Sequence, residues 1–211
     1  RICLETVARY GPQLRIPLPL ESPWYVMVEL AAPHAAVPVR AMMEAMLSEG
    51  LEAGELTDAV LAENEGQRAA FWRIREDYPE FSRMAGPAIS TDTAVPEFLR
   101  RAEAALAARW PEGEMVAIGH AGDGNIHLGL KAPEGVTREA WVARAGQADM
   151  VVNEIAVSLG GSFSAEHGIG VSKLHAMQAL KDPLAIEVMR SLKRTLDPRG
   201  LMNPGKVLPA N

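Results

Sequence analysis

Residues 119–130, GHAGDGNIHLGL, constrain this 211-residue chain more than any other stretch. EMVAIGH and NIHLGLK read as two strands, and the glycine-rich turn between them joins the pair. Asp-Gly is a strong signal for a two-residue type I′ hairpin. A hairpin centred on Asp123-Gly124 pairs His120 directly with His127. Their side chains then share a face, with Cβ atoms about 5 Å apart, close enough for two imidazoles to converge on one metal ion. Ala117, Ala121, Ile126, Leu128 and Leu130 fall on the opposite face, the core side. The same pattern also suits two structural histidines hydrogen-bonded beside a tight turn. The spacing alone leaves both readings open.

Periodicity organises the rest. Strands are expected over 24–31, 56–63 and 88–96, rich in β-branched and aromatic residues. Helical spacing covers 39–50, ending at Gly50, and 64–84, interrupted at Pro79. It returns over 97–110, over 137–161, and over 182–196, which opens with an Asp182 cap and Pro183 at the first helical position. Residues 1–23 are Pro-rich and aperiodic. The alternation predicts an α+β fold: antiparallel sheet or sheets with helices on one face, as a duplicated ferredoxin-like unit.

Several classes of partner are excluded. Net charge is −6, with acids and bases interspersed and no basic stripe, which argues against nucleic acid. No apolar run approaches the roughly 18 residues of a transmembrane segment. Cys3 is the only cysteine, so no internal disulfide is available and a reducing compartment, the cytoplasm, is the expected location. Lys173 reads first as a solvated surface side chain, with a helix start or an anion contact as the other readings.

A second cluster lies in GGSFSAEHGIG, residues 160–170, where Glu166 and His167 sit between glycines. On an extended segment these neighbours point to opposite sides. Two histidines and one carboxylate form a facial set that suits Zn or Fe(II) and leaves positions open for a small acid. A solvated Glu-His pair before a helix is the competing reading.

GHAGDGNIH, AEHGIGVSK and DPRGLMNPGK together resemble signature stretches of the FAD-linked oxidase C-terminal domain. That domain belongs to flavoproteins that oxidise D-2-hydroxy acids: D-lactate, glycolate and D-2-hydroxyglutarate dehydrogenases. FWRIRE resembles the family's Trp-x-x-Arg-Glu helix, DTAVP its Asp-x-x-x-Pro strand, and CLETVARY the segment that leads out of the flavin domain. The resemblance implies one substrate or cap domain over 1–211. Residues 1–23 would lead in from an N-terminal FAD-binding domain, and 197–211 would form a flavin-proximal tail.

By the same resemblance His120, His127 and Glu166 match metal ligands. His167 matches the catalytic base that meets the substrate hydroxyl, and Arg75 the arginine that binds the substrate carboxylate. Asn203 and Lys206 match a segment packed near the flavin, and Asn125 contacts flavin or fixes the hairpin. The implied cofactors are FAD, held mainly by the separate domain, and a divalent metal. The implied partners are a small 2-hydroxy acid, the FAD-binding domain and an electron acceptor. The chain on its own is expected to be inactive. Three positions depart from the pattern: Gly129 replaces an Asn of the 2-hydroxyglutarate type, Ser90 or Thr91 a lysine, and Pro79 a hydroxyl residue. Two further readings stand beside this one: a flavin-independent metal enzyme, and a non-catalytic subunit of the same fold.

Overall fold

The computed structural model describes the backbone of residues 1–83, 88–92 and 95–208, and the side chains of these spans except at 79–83 and 88–92. Pro79, Ser90 and Thr91 therefore lie outside the described side chains. The chain divides into two compact units, Arg1–Ala85 and Gly86–Asn211.

In the first unit, helices α1 (Ile2–Tyr10), α2 (Val39–Glu52) and α3 (Glu65–Arg83) carry the regular structure. Residues 1–23, expected to be aperiodic, thus begin with a helix. Its inner face buries Val7 and Thr6, and α1 packs on α3. The Thr6 hydroxyl donates back to the Ile2 carbonyl at 2.9 Å, which satisfies the buried group. Cys3 and Tyr78 hydrogen-bond side chain to side chain, and burial foremost raises the pKa of both groups. Gly50 does not cap α2. It lies inside the helix, where an added Cβ would sit 2.8 Å from Leu56 Cδ1. The backbone of α3 continues through Pro79, where an interruption is expected.

Residues 24–31 and 56–63 pair with no strand among the described residues. The first segment is instead tethered by a side chain. Glu29 accepts from Arg68 Nη1 at 2.8 Å and from Trp72 Nε1 at 2.9 Å, both on α3. Strand propensity describes a side chain's fit to a pleated surface and does not supply the edge to pair with. The described residues therefore hold one sheet rather than a duplicated pair.

That sheet lies in the second unit. Strands β1 (Ala88–Asp92), β2 (Glu114–His120) and β3 (Asn125–Lys131) pair antiparallel in the order β1-β3-β2. The α+β class and the helix-covered face are as the sequence implies. Phe98 and Leu106 of α4 (Val95–Arg109), Trp141 of α5 (Arg138–Ala145) and Val152 of α6 (Ala148–Ser158) pack on Ile126, Leu128 and Leu130 of β3. Burying each large side chain contributes about 1.5–3 kcal/mol. Trp141 Nε1 donates to the Leu130 carbonyl at 2.7 Å, so the buried indole keeps a partner.

The helix expected over 137–161 is two helices, broken at Gly146. A Cβ there would stand 2.6 Å from the Val142 carbonyl oxygen, closer than a side-chain carbon allows. A smaller cluster of Phe163, Ala176, Met177 and Ile186 joins α7 (Leu174–Leu180) and α8 (Pro183–Leu196). The Asp182 side chain caps α8 by accepting from Leu184 N at 2.7 Å, with Pro183 in the first turn.

Candidate metal centre

The hairpin closes through a four-residue loop, residues 121–124, and not through a two-residue turn. His120 pairs with Asn125 and Ile118 with His127. A type I′ turn needs positive φ at both central residues. Gly124 supplies it at 70°, and Asp123 does not. Two overlapping turns result, with Asp123 N on the His120 carbonyl at 3.2 Å and Gly124 N on that of Ala121 at 3.4 Å. Relative to the expected pairing, the register slips by two residues. An even slip keeps every side chain on its face. His120 and His127 still share the face away from the helices, now as diagonal neighbours, which are typically about 7 Å apart. Gly119 sits at the mouth of the loop, where a Cβ would lie 2.0 Å from the Asn125 carbonyl oxygen. Only glycine permits that approach.

The second cluster is also not extended. Residues Ala165–His167 form a 3₁₀ turn. With three residues per turn, successive side chains are about 120° apart rather than opposed. Glu166 and His167 can therefore turn to one side. The turn is framed by unusual backbone: Ala165 has φ 45°, and Gly168 has φ 71° with ψ −164°. The latter conformation is essentially restricted to glycine. The 3₁₀ turn packs on β1, at the sheet edge beside β3.

These two local structures meet. His127 Nε2 lies 3.6 Å from Glu166 Oε1, and His167 Nε2 lies 3.7 Å from the same oxygen. The two imidazoles stand edge to face, with centroids 5.3 Å apart. Among the described residues, His127, Glu166 and His167 form the one group of three such side chains whose donor atoms all lie within 4.8 Å. A cation bound at about 2.1 Å by each of three tetrahedral ligands would set the donors roughly 3.4 Å apart. The two distances from Glu166, 3.6 and 3.7 Å, lie near that value. Glu166 and His167 keep more than half of their side-chain surface exposed, at 57% and 52%, so the group is open to a ligand.

His120 lies outside this group, exposed at the end of β2. Asn125 shares the face of His127 and is 6% exposed, and its buried Oδ1 has no hydrogen-bond partner among the described residues. Such an atom is an acceptor ready for a donor. Arg75 stands half-buried on α3 in the first unit, on the same helix as Trp72. Asn203 and Lys206 are exposed in the tail, where Lys206 N donates to the Asn203 carbonyl at 3.3 Å. The next residue, Val207, donates from its N to the Gly170 carbonyl at 2.8 Å, which ties the tail to the loop just past His167.

Two supports were not foreseen. Lys173 is not a freely solvated side chain. Its Nζ donates to the carbonyls of Phe163 and Ser164 at 2.7 and 3.2 Å. Its presence in AEHGIGVSK beside Glu166 was the available signal. Asp197 closes the tail: it accepts from Leu201 N at 3.0 Å, Met202 N at 2.9 Å and Lys193 Nζ at 2.5 Å. Lys193 foremost, with these amides, holds its carboxyl below the usual range. Among the described residues, no helix is long and apolar enough to cross a membrane.

The chain is similar to several curated proteins. It is 31% identical over 201 residues to a D-2-hydroxyglutarate dehydrogenase of Stutzerimonas stutzeri, covering 92% of this chain and 43% of that protein. It is 33% identical over 208 residues to the mitochondrial D-2-hydroxyglutarate dehydrogenase of Arabidopsis thaliana, covering 98% and 36%. A probable D-lactate dehydrogenase, mitochondrial, of Danio rerio is 37% identical over 160 residues, covering 72% and 31%. The chain thus spans less than half the length of these relatives. The resemblance carried by the hairpin, the Glu-His turn and the tail is borne out over both units: residues 3–207 match FAD linked oxidases, C-terminal domain, and the chain belongs to that family.

Proposed function

We propose that this chain is the substrate- and metal-binding part of an FAD-dependent dehydrogenase that oxidises a D-2-hydroxy acid to the 2-oxo acid. The observation that carries the reading is the meeting of His127, Glu166 and His167 at one open point. Two imidazoles and a carboxylate are a donor set that fits a Zn or Fe(II) ion with positions left over. A bound cation supplies Lewis acidity, which lowers the pKa of a coordinated hydroxyl. A bound flavin supplies the hydride acceptor.

The chain's own residues do the rest. His127 and Glu166 hold the cation, with His120 completing the set from the same face of the hairpin. His167, adjacent in the turn, takes the proton of the substrate hydroxyl at Nε2. Arg75 pairs with the substrate carboxylate through its planar fork. Asn125 offers its unpartnered Oδ1, and Asn203 and Lys206 line the tail toward the flavin, which is held mainly by a separate domain. The relatives' greater length supports that separation. Gly129 shares the face of His127 and brings no polar group to it. The cytoplasm is the proposed location, on the strength of the single cysteine, and the mitochondrial names of some relatives point to its competitor.

One observation favours a second assignment within the same reading. His167, and not His120, stands in the three-donor group. The roles of the two histidines would then be exchanged. Metal content of the full-length flavoprotein separates these assignments. His120→Ala should lose bound metal, while His167→Ala should retain it and lose turnover. The reverse pattern assigns His167 as the ligand. The function itself is tested by anaerobic flavin reduction with D-lactate, glycolate, D-malate and D-2-hydroxyglutarate. One of them should bleach the flavin within turnover time. Failure of every 2-hydroxy acid to reduce a metal-loaded, flavin-loaded protein would defeat the proposal. The family membership weighs against a flavin-independent metal enzyme, and the flavin-reduction experiment decides between the dehydrogenase and a non-catalytic subunit of the same fold.

A further inference from the structure

We propose that Lys173 is a positioning residue whose ammonium grips two consecutive carbonyls and so sets the direction in which Glu166 and His167 leave their loop. The proposal rests on the metal reading of the His127, Glu166 and His167 group.

The loop is held at both ends of a short, strained passage. The Phe163 ring is buried in the cluster with Ala176, Met177 and Ile186. Lys173 stands at the start of α7, where its carbonyl accepts from Met177 N at 2.9 Å and its N donates to the Ile169 carbonyl at 3.2 Å. From that fixed base the side chain reaches back across the loop. Its Nζ lies 2.7 Å from the Phe163 oxygen and 3.2 Å from the Ser164 oxygen. Lysine otherwise keeps its ammonium in water, so a grip on two adjacent backbone oxygens is a directed contact.

The residue immediately after the gripped carbonyls makes the contact consequential. Ala165 carries a Cβ at φ 45°, in the left-handed region that L residues avoid. Its ψ rotates the peptide that delivers Glu166. A loop released from the ammonium can relieve Ala165 by rotating there, and Glu166 and His167 would swing with it. Glu166 Oε1 is the shared atom of the group, 3.6 and 3.7 Å from the two imidazoles. A small rotation at Ala165 would carry Glu166 and His167 together and open the distance from Glu166 to His127. Lys173 therefore acts on the donor group through the backbone carbonyls it holds.

The test uses the full-length protein, stripped by chelator and titrated with Zn2+ against a chromophoric zinc indicator. Lys173→Met keeps the stem and removes the donor. It should weaken zinc binding by about 10–100-fold, the usual effect of losing an outer partner of a metal ligand. Hydrogen exchange should quicken in residues 163–168 and stay unchanged elsewhere in the second unit. Lys173→Arg, which can still donate to both carbonyls, should recover most of the affinity. Zinc affinity equal to wild type in Lys173→Met overturns the proposal. So does exchange that quickens throughout the unit, or failure of that variant to fold, since either marks a general structural role. Should wild type take up no zinc, the metal reading falls, and the exchange pattern alone decides whether Lys173 sets the loop.

Discussion

Gly168 and Gly122 offer a controlled comparison at the scale of one residue. Neither would bring an added Cβ within 4 Å of another atom. Only Gly168 has positive φ, 71° with ψ −164°. Any difference between Gly168→Ala and Gly122→Ala is therefore a backbone effect. A residue held in such a conformation costs about 1–3 kcal/mol. Gly168→Ala should lower the thermal midpoint by several degrees and weaken zinc binding, because the turn that brings Glu166 beside His127 must relax. Gly122→Ala should leave both nearly unchanged. Equal midpoints for the two variants, by calorimetry, would show that Gly168 bears no strain on behalf of the turn. At this scale the sequence was informative about identity: Glu166 and His127 are separated by 38 intervening residues and still stand out as candidate partners. It was less informative about direction. An extended Glu-His pair sends its side chains apart, and the 3₁₀ turn that lets them converge depends on Ala165 accepting an unfavourable φ, which alanine does not announce.

Elements differ in how much of their geometry a linear pattern encodes. The face of the hairpin was legible because a strand has a period of two, so Ile126, Leu128 and Leu130 must share one side whatever the register. The register was not, because it depends on the φ of Asp123, and Asp-Gly is compatible with more than one loop. The amphipathic helix over 182–196 was legible down to its cap, since Asp-Pro is a local signal. Strands over 24–31 and 56–63 were not realised, because a strand requires a partner edge that no local pattern guarantees. The tail element carries a pH prediction. The Asp197 carboxyl is held below its ordinary range by Lys193 and two backbone amides. Its stabilisation is complete above the unfolded value of about 3.9 and is lost as pH falls through the lower folded value. The tail should therefore stay closed from neutral pH down to about 4 and open only below that. Hydrogen exchange of residues 200–207, corrected for intrinsic rates, reads this directly. Asp197→Asn should exchange rapidly at every pH. Protection that is the same at pH 3 and pH 7 in wild type would remove Asp197 as the latch.

The whole molecule separates two tasks that the proposed chemistry joins. The three-donor group belongs entirely to the second unit, while Arg75 belongs to the first. If Arg75 binds the substrate carboxylate, its loss should leave the metal group intact. Removing a hydrogen bond to a charged group costs about 1.5–3 kcal/mol, which corresponds to roughly 10–100-fold in binding. Arg75→Met in the full-length flavoprotein should therefore raise KM for the 2-hydroxy acid by that factor, with metal and flavin content unchanged. His127→Ala should do the opposite, emptying the metal site and abolishing turnover while flavin stays bound. The pair of variants is more discriminating than either alone. A general loss of stability would depress metal content, flavin content and turnover together in both, whereas separate tasks predict opposite signatures from the two units. An unchanged KM in Arg75→Met would take the arginine out of the substrate site. A loss of metal in the same variant would show that the first unit supports the metal group, and that the helix bearing Trp72 and Arg75 serves structure before substrate.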